Sequence, residues 1–208
     1  MDLLAGGLLS AFLTILSFPK YEFGWLAWVA LVPLLVALRG LTSRQAFWLG
    51  WGSGTVAWMG LGGWLVNTVH EFGPLPYALS VPLVVFVAAY LGVYVAVFCA
   101  LWQRLARGSP SPLMRVLGAA AYWTALEFVR TYAFTGLPWN LLGYTQYRAL
   151  PLIQVADLTG VYGLSFLIVL VNAAVAETLA GPGAVHRLVS RPLPRSPARP
   201  GTTARTRR

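Results

Sequence analysis

Apolar residues run almost unbroken from Leu3 to Phe18, where Pro19, Lys20, Tyr21 and Glu22 interrupt them, and a second run extends from Phe23 to Leu38. Arg39, Thr42, Ser43 and Arg44 separate it from a third run, Ala46 to Val69, which His70 and Glu71 close ahead of Pro74 and Pro76. A fourth spans about Ala78 to Trp102 and ends in Arg104 and Arg107. A fifth follows Arg115 from Val116 to about Phe134, and a last covers about Leu158 to Leu179. Each is near the ~20 residues that a helix needs to cross a hydrocarbon core, the first pair being short. The pattern predicts an all-α integral membrane fold, a bundle of about six transmembrane helices within residues 1–180.

Composition agrees with that reading. Of 208 residues, 58% are hydrophobic and 10% charged, and the mean hydropathy is +0.68, which leaves too little charged surface to coat a soluble domain of this size. The net charge of +9 does not point to nucleic acid, because the basic residues sit in the joints between apolar runs and at the end of the chain. Seven arginines lie between His186 and Arg208 among Pro, Ser and Thr, with no acid. Residues 181–208 therefore read as a disordered basic tail, attracted to anionic lipid headgroups by about 1 kcal/mol per basic residue. The single cysteine, Cys99, lies in an apolar run and reads as a small buried hydrophobe. Asp2 occupies the place of the positive segment of a signal peptide, so the first helix is expected to remain in the mature protein.

Arg39 and Arg44, then Arg104, Arg107 and Arg115, then the terminal arginines fall on alternate joints. The positive-inside rule puts those joints and both termini on the cytoplasmic side. The Lys20/Glu22 turn, the His70/Glu71 loop and the loop carrying Arg148 and Asp157 face the other way.

Gly50 and Gly54, four residues apart in GWGSGTVAWMGLGGW, allow a second helix to approach closely. Trp25, Trp28, Trp48, Trp64, Trp102 and Trp123 stand mostly near span ends, as an interfacial belt would. Glu127 and Arg130, three apart on one helix, are spaced to pair, and charges at that depth are either a functional site or a structural bridge. His70 beside Glu71 is a weaker candidate, and no group has metal-ligand spacing. No cofactor is expected.

The stretch EFVRTYAFTGLPWNLLGYTQ, Glu127 to Gln146, resembles the signature of the membrane part of apolipoprotein N-acyltransferase. LSFPKYEFGWLAWVALVPLL resembles that family's first helical hairpin, and GWGSGTVAWMGLGGWLVNTVHEFGPLP its third helix and loop. FVAAYLGVYVAVFCALWQRL is similar to its fourth helix, and LTGVYGLSFLIVLVNA to its sixth, so the resemblance covers about Leu16 to Ala176 in matching order. It implies a bacterial inner-membrane enzyme that moves an acyl chain from a phospholipid to the lipidated N-terminal cysteine of a diacylglyceryl apolipoprotein.

In that family a nitrilase-like domain with a Glu, Lys and Cys triad carries out the transfer through a thioester. Its triad maps onto no position here, so no catalytic residue is assigned. The expectation is a chain without the bridging helix and catalytic domain, inactive alone, with a separately encoded nitrilase-like partner as one route to activity. What does carry over is the membrane-side signature. Glu127, Arg130, Trp139, Asn140, Tyr144, Gln146 and Arg148 become the lipid- and substrate-binding candidates, with Arg130 or Arg148 meeting a phosphate and Gly136 and Pro138 shaping the loop. Two further readings are a non-enzymatic lipid-binding membrane scaffold and a small transporter. The second calls for charges spread over several helices or an inverted repeat, and the sequence has neither.

Overall fold

The computed structural model describes residues 2–73, 75–109, 111–133 and 136–180; the basic tail expected over 181–208 lies outside them, as does Thr135 of the loop signature. Among the described residues every regular element is helical. Helix α1 (Leu3–Ser17) stops because Phe18 is extended, the conformation that a following proline imposes. The second apolar run is broken into a 3-10 turn (Gly24–Leu26) and two short helices, α2 (Ala27–Ala30) and α3 (Val32–Ala37).

Asn172, from the last helix, accounts for that break. Its amide accepts the Leu31 N–H at 2.8 Å and donates to the Ala27 carbonyl at 2.8 Å, the two groups that a continuous helix would join to each other. Ser10 donates to the Ala30 carbonyl at 2.6 Å and covers the next gap.

Thr42 and Gln45 form a reciprocal capping box that starts α4 (Ser43–Gly62), satisfying two donors that the first turn leaves open. After Gly63 the chain continues as α5 (Trp64–Phe72), which buries none of its residues. Helix α6 (Tyr77–Gly108) is the longest, with Pro82 near its start. Ser111 caps α7 (Pro112–Tyr132), whose first residue is a proline, tolerated there because that N–H has no helical partner. A loop, a 3-10 turn (Leu142–Gln146) and α8 (Leu150–Ile153) lead to α9 (Ala156–Ala180), which kinks at Gly160, φ 64°.

The glycines of α4 meet α6 as their spacing predicts. A Cβ at Gly50 would lie 2.6 Å from Cys99 Sγ, one at Gly54 2.8 Å from Val95 Cβ, and one at Gly92 2.6 Å from Thr55 Oγ1. The two antiparallel helices thus pack nearly backbone to backbone, and Cys99 is a buried filler between them. Leu34, Leu35, Leu38, Phe98, Trp102, Ile168 and Val169 form the core where α3, α6 and α9 meet. Trp102 corrects the belt reading, being 1% exposed, whereas Trp25, Trp48 and Trp64 do face outward. Large apolar side chains such as Leu4, Leu8, Phe12, Leu83 and Phe86 cover much of the exterior.

Among the described residues, two helices, Tyr77–Gly108 and Ala156–Leu179, are long and apolar enough to cross a membrane. Of the others that the hydropathy pattern marks, α1 is short and the second run is broken at Leu31 by Asn172. In contrast, α4 and α7 have the length, with 20 and 21 residues, but carry more polar and charged side chains, Arg115, Glu127 and Arg130 among them on α7.

The loops gather at two ends. At one end lie Arg39, Arg44, Arg104, Arg107 and Arg115. Arg115 pairs with Glu177 at 2.6 Å and donates to the Ser109 carbonyl at 2.8 Å, and Arg39 donates to the Ala176 carbonyl. Burial lowers the Arg39 pKa below its ordinary value, opposed by Glu177 and reinforced by Arg115. At the other end lie Lys20, Glu22, His70 and the stretch from Gly136 to Asp157. There His70 Nδ1 lies 2.7 Å from the Leu75 carbonyl oxygen and its ring stacks on Tyr77, which makes it a brace of the loop.

Candidate functional site

Helices α1, α3, α4, α6 and α7 leave a half-open pocket between them, with ≈ 680 Å³ of empty space when the open solvent at its mouth is counted. Its walls are apolar over most of their length, from Ala11, Leu34, Ala57, Leu61, Val95 and Phe98, and the polar groups Tyr94, Glu127, Arg130 and Asn140 also line it.

Glu127 and Arg130 both line this pocket, one turn apart on α7, yet they form no ion pair. Glu127 is buried, and its Oε1 accepts from Trp123 Nε1 at 3.0 Å and from the Leu142 N–H at 2.8 Å. The carboxylate therefore ties α7 to the start of the 3-10 turn. Ser165 of α9 accepts the next backbone N–H, that of Gly143, at 2.9 Å.

Arg130 is also buried. Its Nη1 donates to the Trp139 carbonyl at 2.7 Å, and its guanidinium lies 4.7 Å from the centre of the Trp58 ring. A carbonyl and an aromatic face hold the cation in position without cancelling its charge. The lowered cost of burying it comes from those contacts and from the nearby Glu127, while its remaining N–H groups stay available at the pocket.

The loop approaches from above. Gly136 has φ +75° and Asn140 φ +51°, both left-handed, so two sharp bends bring Asn140 onto the pocket wall. The Trp139 side chain packs on Trp64 of α5, with ring centroids 5.6 Å apart, and is not among the residues lining the pocket. Both rings are about half exposed, at 46% and 51%.

The remaining candidates do not join this site. Gln146 is buried on the other side of the turn, donating to the Gly24 carbonyl at 2.8 Å and accepting from Trp28 Nε1 at 3.1 Å. It fastens the loop to the α1–α2 hairpin, where a Cβ on Gly24 would meet the Thr145 carbonyl at 2.3 Å. Arg148 is exposed and pairs with Glu22, which Tyr147 also reaches at 2.9 Å. Tyr144 is exposed and is not among the residues lining the pocket. Sequence reasoning missed Trp58 and Tyr94, which reach the pocket from α4 and α6, and Ser165. The Trp123–Glu127 bond was legible as a spacing of four on one helix; the others come from distant segments.

Comparison with known proteins identifies the family. Residues 10–174 match the family described as the apolipoprotein N-acyltransferase N-terminal domain. The apolipoprotein N-acyltransferase of Geobacter metallireducens is 42% identical over 173 residues, covering 83% of this chain and 33% of that protein. The Chromobacterium violaceum enzyme of the same name is 35% identical over 175 residues, 84% of this chain and 33% of its own length. That of Pseudomonas paraeruginosa is 36% identical over 162 residues, 76% and 31% of the two chains. The chain thus spans about a third of the length of the relatives it matches, and it belongs to the apolipoprotein N-acyltransferase N-terminal domain family.

Proposed function

We propose that this chain is the membrane domain of an apolipoprotein N-acyltransferase and that its pocket receives an acyl chain of the lipid substrates. The observation that carries this reading is the arrangement at Arg130: a buried guanidinium with no carboxylate paired to it among the described residues, lining a mostly apolar pocket that Tyr94, Glu127 and Asn140 also reach. Such a pocket takes a hydrocarbon tail along its walls and an anionic phosphate ester at Arg130, which is the chemistry of a phospholipid acyl donor. Trp139, half exposed beside it, fits headgroup depth.

The six apolar runs are read as six spans, the short and broken ones completed by packing against α6 and α9. The arginine-rich end faces the cytoplasm, together with both termini, and the pocket end faces outward from the bacterial inner membrane. Gln146 and Arg148 serve as fasteners of the outward loop.

Acyl transfer to the diacylglyceryl apolipoprotein needs a thiolate with a base beside it. Cys99 is buried against Gly50 in the α4–α6 seam and is unsuited to that role. The chemistry is therefore assigned to a nitrilase-like domain, and this chain supplies lipid binding and orientation.

The test is complementation. The chain, alone and together with a nitrilase-like domain, is expressed in cells depleted of their own acyltransferase, and N-acylation of a reporter lipoprotein is followed by mass spectrometry. Acylation only with the added domain, and its loss on Arg130→Ala, is the expected result. Acylation by these 208 residues alone would overturn the assignment of the chemistry. Undiminished acylation with Arg130→Ala would overturn the role of the pocket.

A further inference from the structure

The end of the bundle opposite the pocket carries five arginines, and among the described residues there the only carboxylates are Glu177, taken by Arg115, and the exposed Asp2 at the start of α1. Arg39, Arg107 and Arg115 are held by hydrogen bonds. Gln103, a buried side chain of α6, donates to the Leu41 carbonyl, and Arg107 donates to the same oxygen at 2.7 Å. These bonds clamp the α3–α4 joint against the end of α6 and bring the first turn of α4 beside it. Arg44, in that turn, and Arg104, on α6, are exposed, and among the described residues neither forms an ion pair.

The surroundings of these charges are apolar. Trp48, one turn along α4 from Arg44 and on the same face, is 56% exposed. Leu113, Met114 and Leu117, at the start of α7, are exposed next to Arg115. A soluble anion has no use for such neighbours, whereas a phospholipid presents an anionic phosphate directly above its hydrocarbon chains and satisfies both at once.

We propose that Arg44, Arg104 and Arg107, with Trp48, form a binding site for the headgroup of an anionic phospholipid in the leaflet opposite the pocket of the proposed function. It is a lipid site distinct from the pocket, without a reactive group, and independent of the acyltransferase reading. Its effect is to hold the α3–α4 and α6–α7 joints together: the lipid phosphate bridges arginines of α4 and α6 that otherwise repel.

The test uses the whole chain in nanodiscs of phosphatidylethanolamine doped with phosphatidylglycerol, with native mass spectrometry of lipids retained after release. We expect preferential retention of phosphatidylglycerol, weakened by salt. The preference should fall about fivefold for each arginine replaced by glutamine, and on the order of a hundredfold for Arg44→Gln, Arg104→Gln and Arg107→Gln together. All three are on the surface, so the variant should still fold, which retention of the wild-type circular dichroism spectrum checks. Lys20→Gln, at an exposed residue of the other end, should leave the preference unchanged. Equal retention of the two lipids by the unaltered chain would overturn the proposal. So would an unchanged preference in the triple variant, or a preference that vanishes when residues 181–208 are removed, since the tail would then be the binder.

Discussion

The Arg130 guanidinium lies 4.7 Å from the centre of the Trp58 ring while Nη1 donates to the Trp139 carbonyl. These contacts need a flat, delocalised cation with several donors, which lysine does not offer. Arg130→Lys, although it keeps the charge, should weaken binding of a fluorescent phospholipid analogue by about tenfold, and Trp58→Leu by a similar or smaller factor. Lysine binding as well as arginine would show that only charge matters at this position.

Glu127 is predicted to matter first as an acceptor. Glu127→Ala strands the Trp123 and Leu142 N–H groups in the interior, at about 1–3 kcal/mol each. Thermal unfolding in detergent should show Glu127→Gln retaining at least half of that stability, because a carbonyl oxygen still accepts. An equal loss in both variants would mean that the charge itself, rather than the acceptor, holds the loop.

The α4–α6 seam gives a paired test within one helix. Gly54→Val pushes a side chain into Val95 and the Gly92 backbone and should cost about 1–3 kcal/mol or more. Gly52→Ala meets nothing within 4 Å and should be neutral or stabilising by up to about 1 kcal/mol. Comparable unfolding temperatures for the two would contradict the close approach.

Asn172→Leu removes both bonds that splice α2 to α3. It should destabilise the bundle by about 2–4 kcal/mol, since two buried backbone groups lose their partners. A loss below about 1 kcal/mol would mean instead that the Leu31 N–H and Ala27 carbonyl close on each other and that α2 and α3 become one helix.

Arg115 and Glu177 form a nearly buried pair. Replacing either alone by methionine should cost about 3–5 kcal/mol, and replacing both much less than the sum, because the single changes leave an uncompensated charge. Additive losses in that double-mutant cycle would assign the stability to packing alone.

What the linear chain decides here is what water and lipid can read without a partner. Runs of Leu, Val, Ala and Phe placed the helices, prolines and arginines placed their joints, and the Gly50–Gly54 spacing marked the seam that α6 fills. The loop string around Trp139 carried the family, because close packing and sharp bends restrict which residues can stand there. Local sequence also held the Trp123–Glu127 bond, a neighbour relation along one helix.

Tertiary structure decided the rest, wherever a residue's partner lies far along the chain. Asn172 breaks a helix some 140 positions away, which no hydropathy window over Phe23–Leu38 registers. Spacing invited a Glu127–Arg130 pair, but the Leu142 N–H competes for the carboxylate and the Trp139 carbonyl with Trp58 for the guanidinium, so the two charges part. Gln146 and Arg148, neighbours of the site in sequence, turn to the α1–α2 hairpin because a 3-10 turn points successive side chains in different directions. Periodicity assigns a residue to a face; only the packed neighbours determine which polar atom on that face is satisfied and which remains for a ligand.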